Sequence, residues 1–189
     1  MHNTANIKVK GHVLAFYKDN GEVVLDKWNA VHNKNLAVAL ARGLAHEANG
    51  QIFKLKLGNG GSSINSFNMI TYLPPNVTGA GADLYNTTYS EQVDENVTGT
   101  PAENSVTYQE STDPDETAIV IVTATIAAGE PTGQDLNDSN PDPNAQFAFD
   151  ELGLFTFDDR LLTHMVFSPI LKTANRELVI TYTLTLSVS

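Results

Sequence analysis

Asp150-Glu-Leu-Gly-Leu-Phe-Thr-Phe-Asp-Asp-Arg160 and Leu161-Leu-Thr-His-Met-Val-Phe-Ser-Pro-Ile170 lead into Leu178-Val-Ile-Thr-Tyr-Thr-Leu-Thr-Leu-Ser-Val188, and these runs decide the fold class. Leu178, Ile180, Tyr182, Leu184, Leu186 and Val188 alternate with Val179, Thr181, Thr183, Thr185 and Ser187, the period-two pattern of a strand with one dry face. Leu161 to Ile170 and Leu152 to Phe157 are two further apolar stretches, with polar turns at Asp158-Asp159 and at Lys172 to Arg176. The reading is two successive hairpins, a β-meander without a catalytic group.

Further upstream, Ile7 to Tyr17 alternates Ile7, Val9, Val13, Ala15 and Tyr17; Asp19-Asn-Gly21 turns the chain and Glu22 to Trp28 returns as a strand. Asn33 or Asn35 is placed to cap a helix whose stripe of Leu36, Leu40 and Leu44 is expected to lie on the sheet, and Asn49-Gly50 to end it. Ile52 to Leu57 alternates Phe53, Leu55 and Leu57 with Lys54 and Lys56, a half-exposed strand stopped by Gly58-Asn-Gly-Gly61. From Gly58 to Glu116 the pattern is irregular, with weak strand signals at Ala82 to Tyr89 and Ser105 to Glu110. Ala118 to Ala127 is apolar on both faces and β-branched, as a central strand is, and Gly129 to Asn144 is a long Gly/Pro/Asp/Asn loop. About eight strands, one helix and two long excursions (58–116 and 129–145) predict a mainly β protein. The architecture expected is an antiparallel β-sandwich, jelly-roll-like in size, in one domain over 1–189.

Composition narrows the function. A chain of 189 residues with 41% apolar residues can bury a core, and the absence of cysteine excludes disulfides, thiolate nucleophiles and Cys-ligated metals. The N-terminus has no apolar signal region, and no run approaches the ~20 apolar residues of a membrane helix, so synthesis in a cytoplasm without a membrane is expected. Net charge is −11, and from Leu57 to Asp159 there is no Lys or Arg although seventeen of the twenty-two acids lie there. Such a stretch repels duplex DNA, so direct nucleic-acid binding is not expected. It reads either as a solvated acidic surface or as a docking face for basic partners, with Asp113, Asp115, Glu116, Asp135, Asp138 and Asp142 as the assembly contacts expected.

Motifs for chemistry are weak. Gly58-Asn-Gly-Gly61-Ser62-Ser63 has the look of a phosphate-cradling loop but no following Lys at the required spacing, and reads as a turn. Asp135, Asn137, Asp138, Asn140, Asp142 and Asn144 supply oxygen ligands of the kind calcium takes, without the EF-hand's sixth-position glycine or twelfth-position glutamate. The five histidines show no metal-ligand spacing, and His164 on an apolar strand reads as a satisfied core or interface residue. Asp158 with Asp159, Asp150 with Glu151 and Asp113 with Asp115 are acidic pairs, more simply explained by turns than as a glycosidase's carboxylates. No catalytic residue, metal or cofactor is expected.

The wording Glu151-Leu-Gly-Leu-Phe155, Asp158-Asp159-Arg160-Leu161, Phe167-Ser-Pro-Ile170, Lys172 and Leu178-Val-Ile-Thr-Tyr182 resembles the C-terminal module of structural proteins in tailed-bacteriophage particles. Trp28-Asn29, the stretch Asn35 to His46 and Ile52-Phe-Lys-Leu-Lys-Leu-Gly-Asn-Gly60 follow the same order as in those proteins. Asp158-Asp159 stands where such turns often carry a glycine, and Tyr182 where a tryptophan is frequent. The resemblance implies a β-sandwich scaffold of the neck, collar, tail, baseplate or fibre-associated type. Expected from it are a non-enzymatic virion component made in the host bacterial cytoplasm, homo-oligomeric, whose partners are other virion structural proteins. Rival readings are a capsid decoration protein and a glycan-binding tail accessory, for which Trp28, Tyr72, Tyr85, Tyr89 and Tyr108 are the available aromatic platforms.

Overall fold

The structure, a computed structural model, describes residues 6–110, 118–132 and 146–188. In chain order the elements are β1 (Ile7–Tyr17), β2 (Val23–Trp28), β3 (Ala30–Val31), α1 (Asn33–Leu44), β4 (Ile52–Gly58), β5 (Ser62–Ile64), β6 (Ile70–Tyr72), β7 (Thr87–Gln92), β8 (Ser105–Gln109), β9 (Ala118–Ile126), β10 (Gln146–Thr156), β11 (Leu161–Thr173) and β12 (Leu178–Val188). Two five-stranded antiparallel sheets, ordered β2-β1-β12-β9-β8 and β3-β11-β10-β4-β7, pack face to face as a β-sandwich, and β5-β6 forms a separate hairpin. The mainly β sandwich with one α-helix is as expected, with more strands.

Alternation in the sequence builds the core. Val13, Ala15 and Tyr17 of β1, Leu178, Ile180, Tyr182 and Leu184 of β12, and Val122, Ala124 and Ile126 of β9 point from the first sheet toward Leu55, Leu57, Phe149, Leu152, Leu154, Met165 and Phe167 of the second. Each large side chain fully buried in this way contributes about 1.5–3 kcal/mol. β9 keeps one buried face and one partly exposed face, the same alternation as the central strand β12.

Four expectations need correction. The chain does not end in a meander: β10 and β11 form a hairpin in the second sheet, but β12 crosses to the first sheet and pairs with β1 and β9. A short turn fixes reversal of direction, not which sheet receives the next strand. Lys172 is not a turn residue; it lies near the end of β11, fully buried, and its Nζ donates to the carbonyls of Ala127 (2.8 Å) and Glu130. Helix α1 is capped by His32, whose Nδ1 accepts from Asn35 N (3.2 Å), and closes at His46 with φ 60°, so neither Asn33 nor Asn35 caps it and Gly50 does not end it. Gly50 serves close approach instead, since a Cβ there meets the Ala39 carbonyl at 2.6 Å and Gly43 N at 2.7 Å.

The fourth correction is the leucine stripe, which does not lie on the sheet. Helix α1 is held through Asn35, whose Nδ2 donates to the Leu161 carbonyl (2.8 Å), through buried Ala39, and through Arg42, which pairs with Asp158 (2.8 Å). These bonds leave Leu36, Leu40 and Leu44 bordering an open groove with Ile7 and Val9 of β1, Leu36 and Leu40 half-buried and Leu44 87% exposed.

The described part of the first excursion, residues 58–110, folds against the sandwich. β7 and β8 add edge strands to the two sheets, while residues 73–86 cover the outer face of the second sheet, where Leu84, Val77 and Ala82 pack on Phe155 and Leu161. Among the described residues no helix is long and apolar enough to cross a membrane.

Candidate interaction surface

β5 and β6 carry the most exposed apolar feature of the excursion. Ser62 pairs with Tyr72, Ser63 with Thr71 and Ile64 with Ile70, so Ile64, Ile70 and Tyr72 share one face while Ser63 and Thr71 bond each other on the other (3.0 Å). The tip is built by Asn65, whose Oδ1 accepts from the amides of Phe67 (2.9 Å) and Met69 (3.0 Å), while its own N–H donates to the Met69 carbonyl (2.9 Å). Asn68 takes the left-handed conformation that closes the turn (φ 59°), which asparagine tolerates better than most side chains. These bonds fix the tip in a shape that holds Phe67 80% and Ile64 71% exposed, with Met69, Ile70, Tyr72 and Leu73 beside them. Exposed apolar clusters of this kind are what protein–protein and ligand-binding surfaces present.

The root of this hairpin is held by two buried carboxylates. Asp150 on β10 accepts from the amides of Gly61 and Ser62 (2.9 Å each) and from Ser62 Oγ (2.5 Å). Its neighbour Glu151 accepts four N–H groups: Gly60 (3.1 Å) and Asn86 (2.7 Å) on Oε1, Tyr85 (2.8 Å) and His164 Nε2 (3.0 Å) on Oε2. A β-bulge between Phe149 and Glu151 lets both neighbours serve the same loop. His164 Nδ1 in turn accepts from the Asn76 amide (2.8 Å), which makes Nε2 the proton-bearing nitrogen facing Glu151. Burial by itself raises the Glu151 carboxyl, but the His164 bond and the backbone amides outweigh it and hold it below the ordinary glutamate value.

The glycine loop Gly58 to Gly61 thus does cradle an anion, and the anion is the protein's own. The Gly60 and Gly61 amides are taken by Glu151 and Asp150, the Asn59 amide donates to the Asn86 carbonyl (3.2 Å), and both side chains of the Glu151–His164 pair are closed to solvent. Neither group is presented to a substrate in this arrangement.

Charge is redistributed in the same way. Asp158 bonds Arg42, Arg160 (2.9 Å) and Thr156, while Asp159 meets Lys54 (2.8 Å) and Lys56 (3.0 Å). Both carboxyls are held below their ordinary value, because these partners outweigh the effect of burial. Asp159 also supplies the left-handed residue of the turn (φ 61°), a conformation glycine adopts most readily. The cation-free stretch therefore meets basic residues of its own chain at Asp158 and Asp159. Asp113, Asp115, Glu116, Asp135, Asp138 and Asp142 lie outside the described residues, as does the oxygen-rich run Asp135 to Asn144.

A concavity of about 260 Å³ is lined by Tyr89, Glu91, Glu103, Glu130 and Glu177 among others. Burial pushes the Glu91 carboxyl up despite bonds from Tyr89 and from Asn104 Nδ2 (2.7 Å). Among the described residues no group of three or more His, Asp or Glu side chains is arranged to hold a metal ion. The aromatic residues expected as glycan platforms are dispersed: Tyr72 is on the hairpin, Tyr85 lies over His164, Tyr89 bonds Glu91, and Tyr108 and Trp28 are on β8 and β2 of the first sheet. No protein family, no curated protein and no solved structure matches this chain.

Proposed function

We propose that this chain is a non-enzymatic structural component of a tailed-phage particle, repeated around the neck, collar or tail and joining neighbouring virion proteins. The observation that carries the reading is the exposed apolar hairpin Ile64 to Tyr72, rigid at its tip through Asn65 and anchored at its root by buried Asp150 and Glu151. A sandwich that spends buried charge on holding one apolar projection is organised for adhesion. The resemblance of Asp150 to Val188 to phage structural proteins supplies the setting, and Asp113, Asp115, Glu116, Asp135, Asp138 and Asp142 remain the acidic contacts proposed toward basic partners.

The test is analysis of purified particles: mass spectrometry for the chain, then cryo-imaging for its position. Density repeated about the neck or tail axis is expected. Density on the capsid faces points to decoration instead, and absence of the chain from purified particles overturns the proposal.

A further inference from the structure

The segment 73–86, which covers the outer face of the second sheet, is fastened to that sheet through a neutral histidine. His164 of β11 is fully buried; its Nδ1 accepts the Asn76 amide (2.8 Å), and its Nε2–H donates to Glu151 Oε2 (3.0 Å). One ring nitrogen therefore serves the segment and the other serves the sheet. The Tyr85 ring tilts over the imidazole with centroids 5.6 Å apart, and its hydroxyl donates to the Pro74 carbonyl (2.6 Å). An imidazolium bears a hydrogen on both nitrogens and accepts nothing. Protonation of His164 thus sets a second N–H against the Asn76 N–H in a place that solvent does not reach. The opposite bond gains, since Nε2–H to Glu151 becomes a charge-assisted pair.

The other charged groups around the ring are engaged elsewhere. On β10, Asp150 is taken by Gly61 and Ser62. On β4, Lys56 shares the row of Gly153 and His164, but its ammonium sits on Asp159 (3.0 Å) and over the Phe155 ring (4.1 Å), and Lys54 also pairs with Asp159. On β2, Lys27 donates to the Val166 carbonyl (3.0 Å); Arg42 of α1 and Arg160 are held by Asp158. Within the segment, Asp83 accepts from the Leu84 amide (2.8 Å). The buried His32 reaches the segment from the helix side, its Nε2–H donating to the Gly79 carbonyl (3.0 Å) while its Nδ1 caps α1. A proton on His32 leaves the Gly79 bond in place, so the contact that acid removes from the segment is the one between His164 and Asn76.

We infer that His164 is a proton-released latch: in acid it gives up Asn76, and the adjoining part of the segment, carrying Val77, separates from Phe155 and Leu161. The closed form has no place for a second proton on the ring, and the open form has. Proton uptake therefore accompanies opening, so the closed segment is favoured at neutral pH and lost as pH falls, the opening constant rising by up to about tenfold per pH unit. Histidine is the side chain whose ordinary titration spans about pH 5 to 8. The inference goes beyond the virion reading and does not depend on it.

Amide hydrogen exchange on the full chain, corrected for its intrinsic pH dependence, reads the opening. Between about pH 7.5 and about pH 5 the Asn76 amide should lose protection at least tenfold relative to the β1-β12 ladder. His164→Gln offers an acceptor oxygen and a donor NH₂ but does not titrate, and should make that ratio independent of pH. His32→Asn keeps a side-chain cap for α1 and should retain the wild-type response at Asn76. Should His164→Gln fail to fold, nitrogen-15 shifts of the His164 ring in the wild-type chain decide: they should pass from the Nε2–H tautomer to the imidazolium in step with the loss at Asn76. A ring that becomes an imidazolium while Asn76 stays protected overturns the inference. So does a wild-type ratio unchanged over that range, a response that persists in His164→Gln, or one that disappears in His32→Asn.

Discussion

Replacing Glu151 by glutamine removes a charge and no volume, and its cost follows from the bonds. The carboxylate accepts from Gly60 and Asn86 on one oxygen and from Tyr85 and His164 on the other. A glutamine amide keeps one acceptor oxygen and turns an NH₂ toward the other pair of donors. If its oxygen stays with Gly60 and Asn86, the Tyr85 amide and His164 Nε2–H lose their acceptor; if it flips, the first pair does. Moving the His164 proton to Nδ1 offers no escape, because Nδ1 then faces the Asn76 N–H. Two donors lose their acceptor in every arrangement, in bonds that are part-buried for Gly60, Tyr85 and Asn86 and buried for His164. At about 1–3 kcal/mol each, Glu151→Gln should cost about 2–6 kcal/mol of a stability that is typically ~5–15 kcal/mol. Urea unfolding measures the total through the transition midpoint, and amide hydrogen exchange localises it, with Gly60, Asn76, Tyr85 and Asn86 expected to lose protection before the β1-β12 ladder. A cost under about 1 kcal/mol with unchanged exchange at those four amides would refute the view that this carboxylate anchors the outer layer.

Three further outcomes are expected. Glu151, Asp158 and Asp159 have folded pKa values below their unfolded ones, so they contribute stability above the ordinary carboxylate range that is lost as pH falls through the folded values. Buried Glu91, shifted upward, acts in the opposite sense, and Glu91→Gln should make the acid loss in a thermal-melt pH series steeper. Burial lowers Lys172 to about 8, so the folded state releases its proton first and stability should rise with pH from about 8 until the unfolded lysine also titrates; Lys172→Met should abolish that rise. Gly153→Ala places a Cβ 2.5 Å from the Thr163 carbonyl in the paired β11 backbone, and should cost about 1–3 kcal/mol by denaturant titration.

Where a side chain's fate depends on its own strand, the sequence was readable. The alternation from Leu178 to Val188 becomes β12 with its dry face inward, and Asp19-Asn-Gly21 turns the first hairpin, with Gly21 at φ 70°. Features set by distant partners were not readable. Asp150 and Glu151 look like turn acids, yet their donors come from residues 60–62 and 85–86, and only their position within the apolar run Phe147 to Phe155 hints at a buried role. Lys172 was equally opaque, since its acceptors are carbonyls beyond the end of β9. For α1 the period of the leucines was correct, but period gives a face without saying what it meets. Asn35 and Arg42 decide the orientation through Leu161 and Asp158, more than a hundred residues away.

The place of β12 constrains when the molecule can be finished. It lies between β1 and β9, pairing along its length with β1, the first strand of the chain. On a ribosome β1 therefore waits, its inner edge unpaired, until residues 178–188 leave the exit tunnel. The second sheet, with β4, β10 and β11 already made, can close earlier. Such long-range closure is slow and leaves open strand edges exposed in the meantime. A chain stopped before Leu178 leaves the facing edges of β1 and β9 unpaired, and open edges of that kind are prone to aggregate.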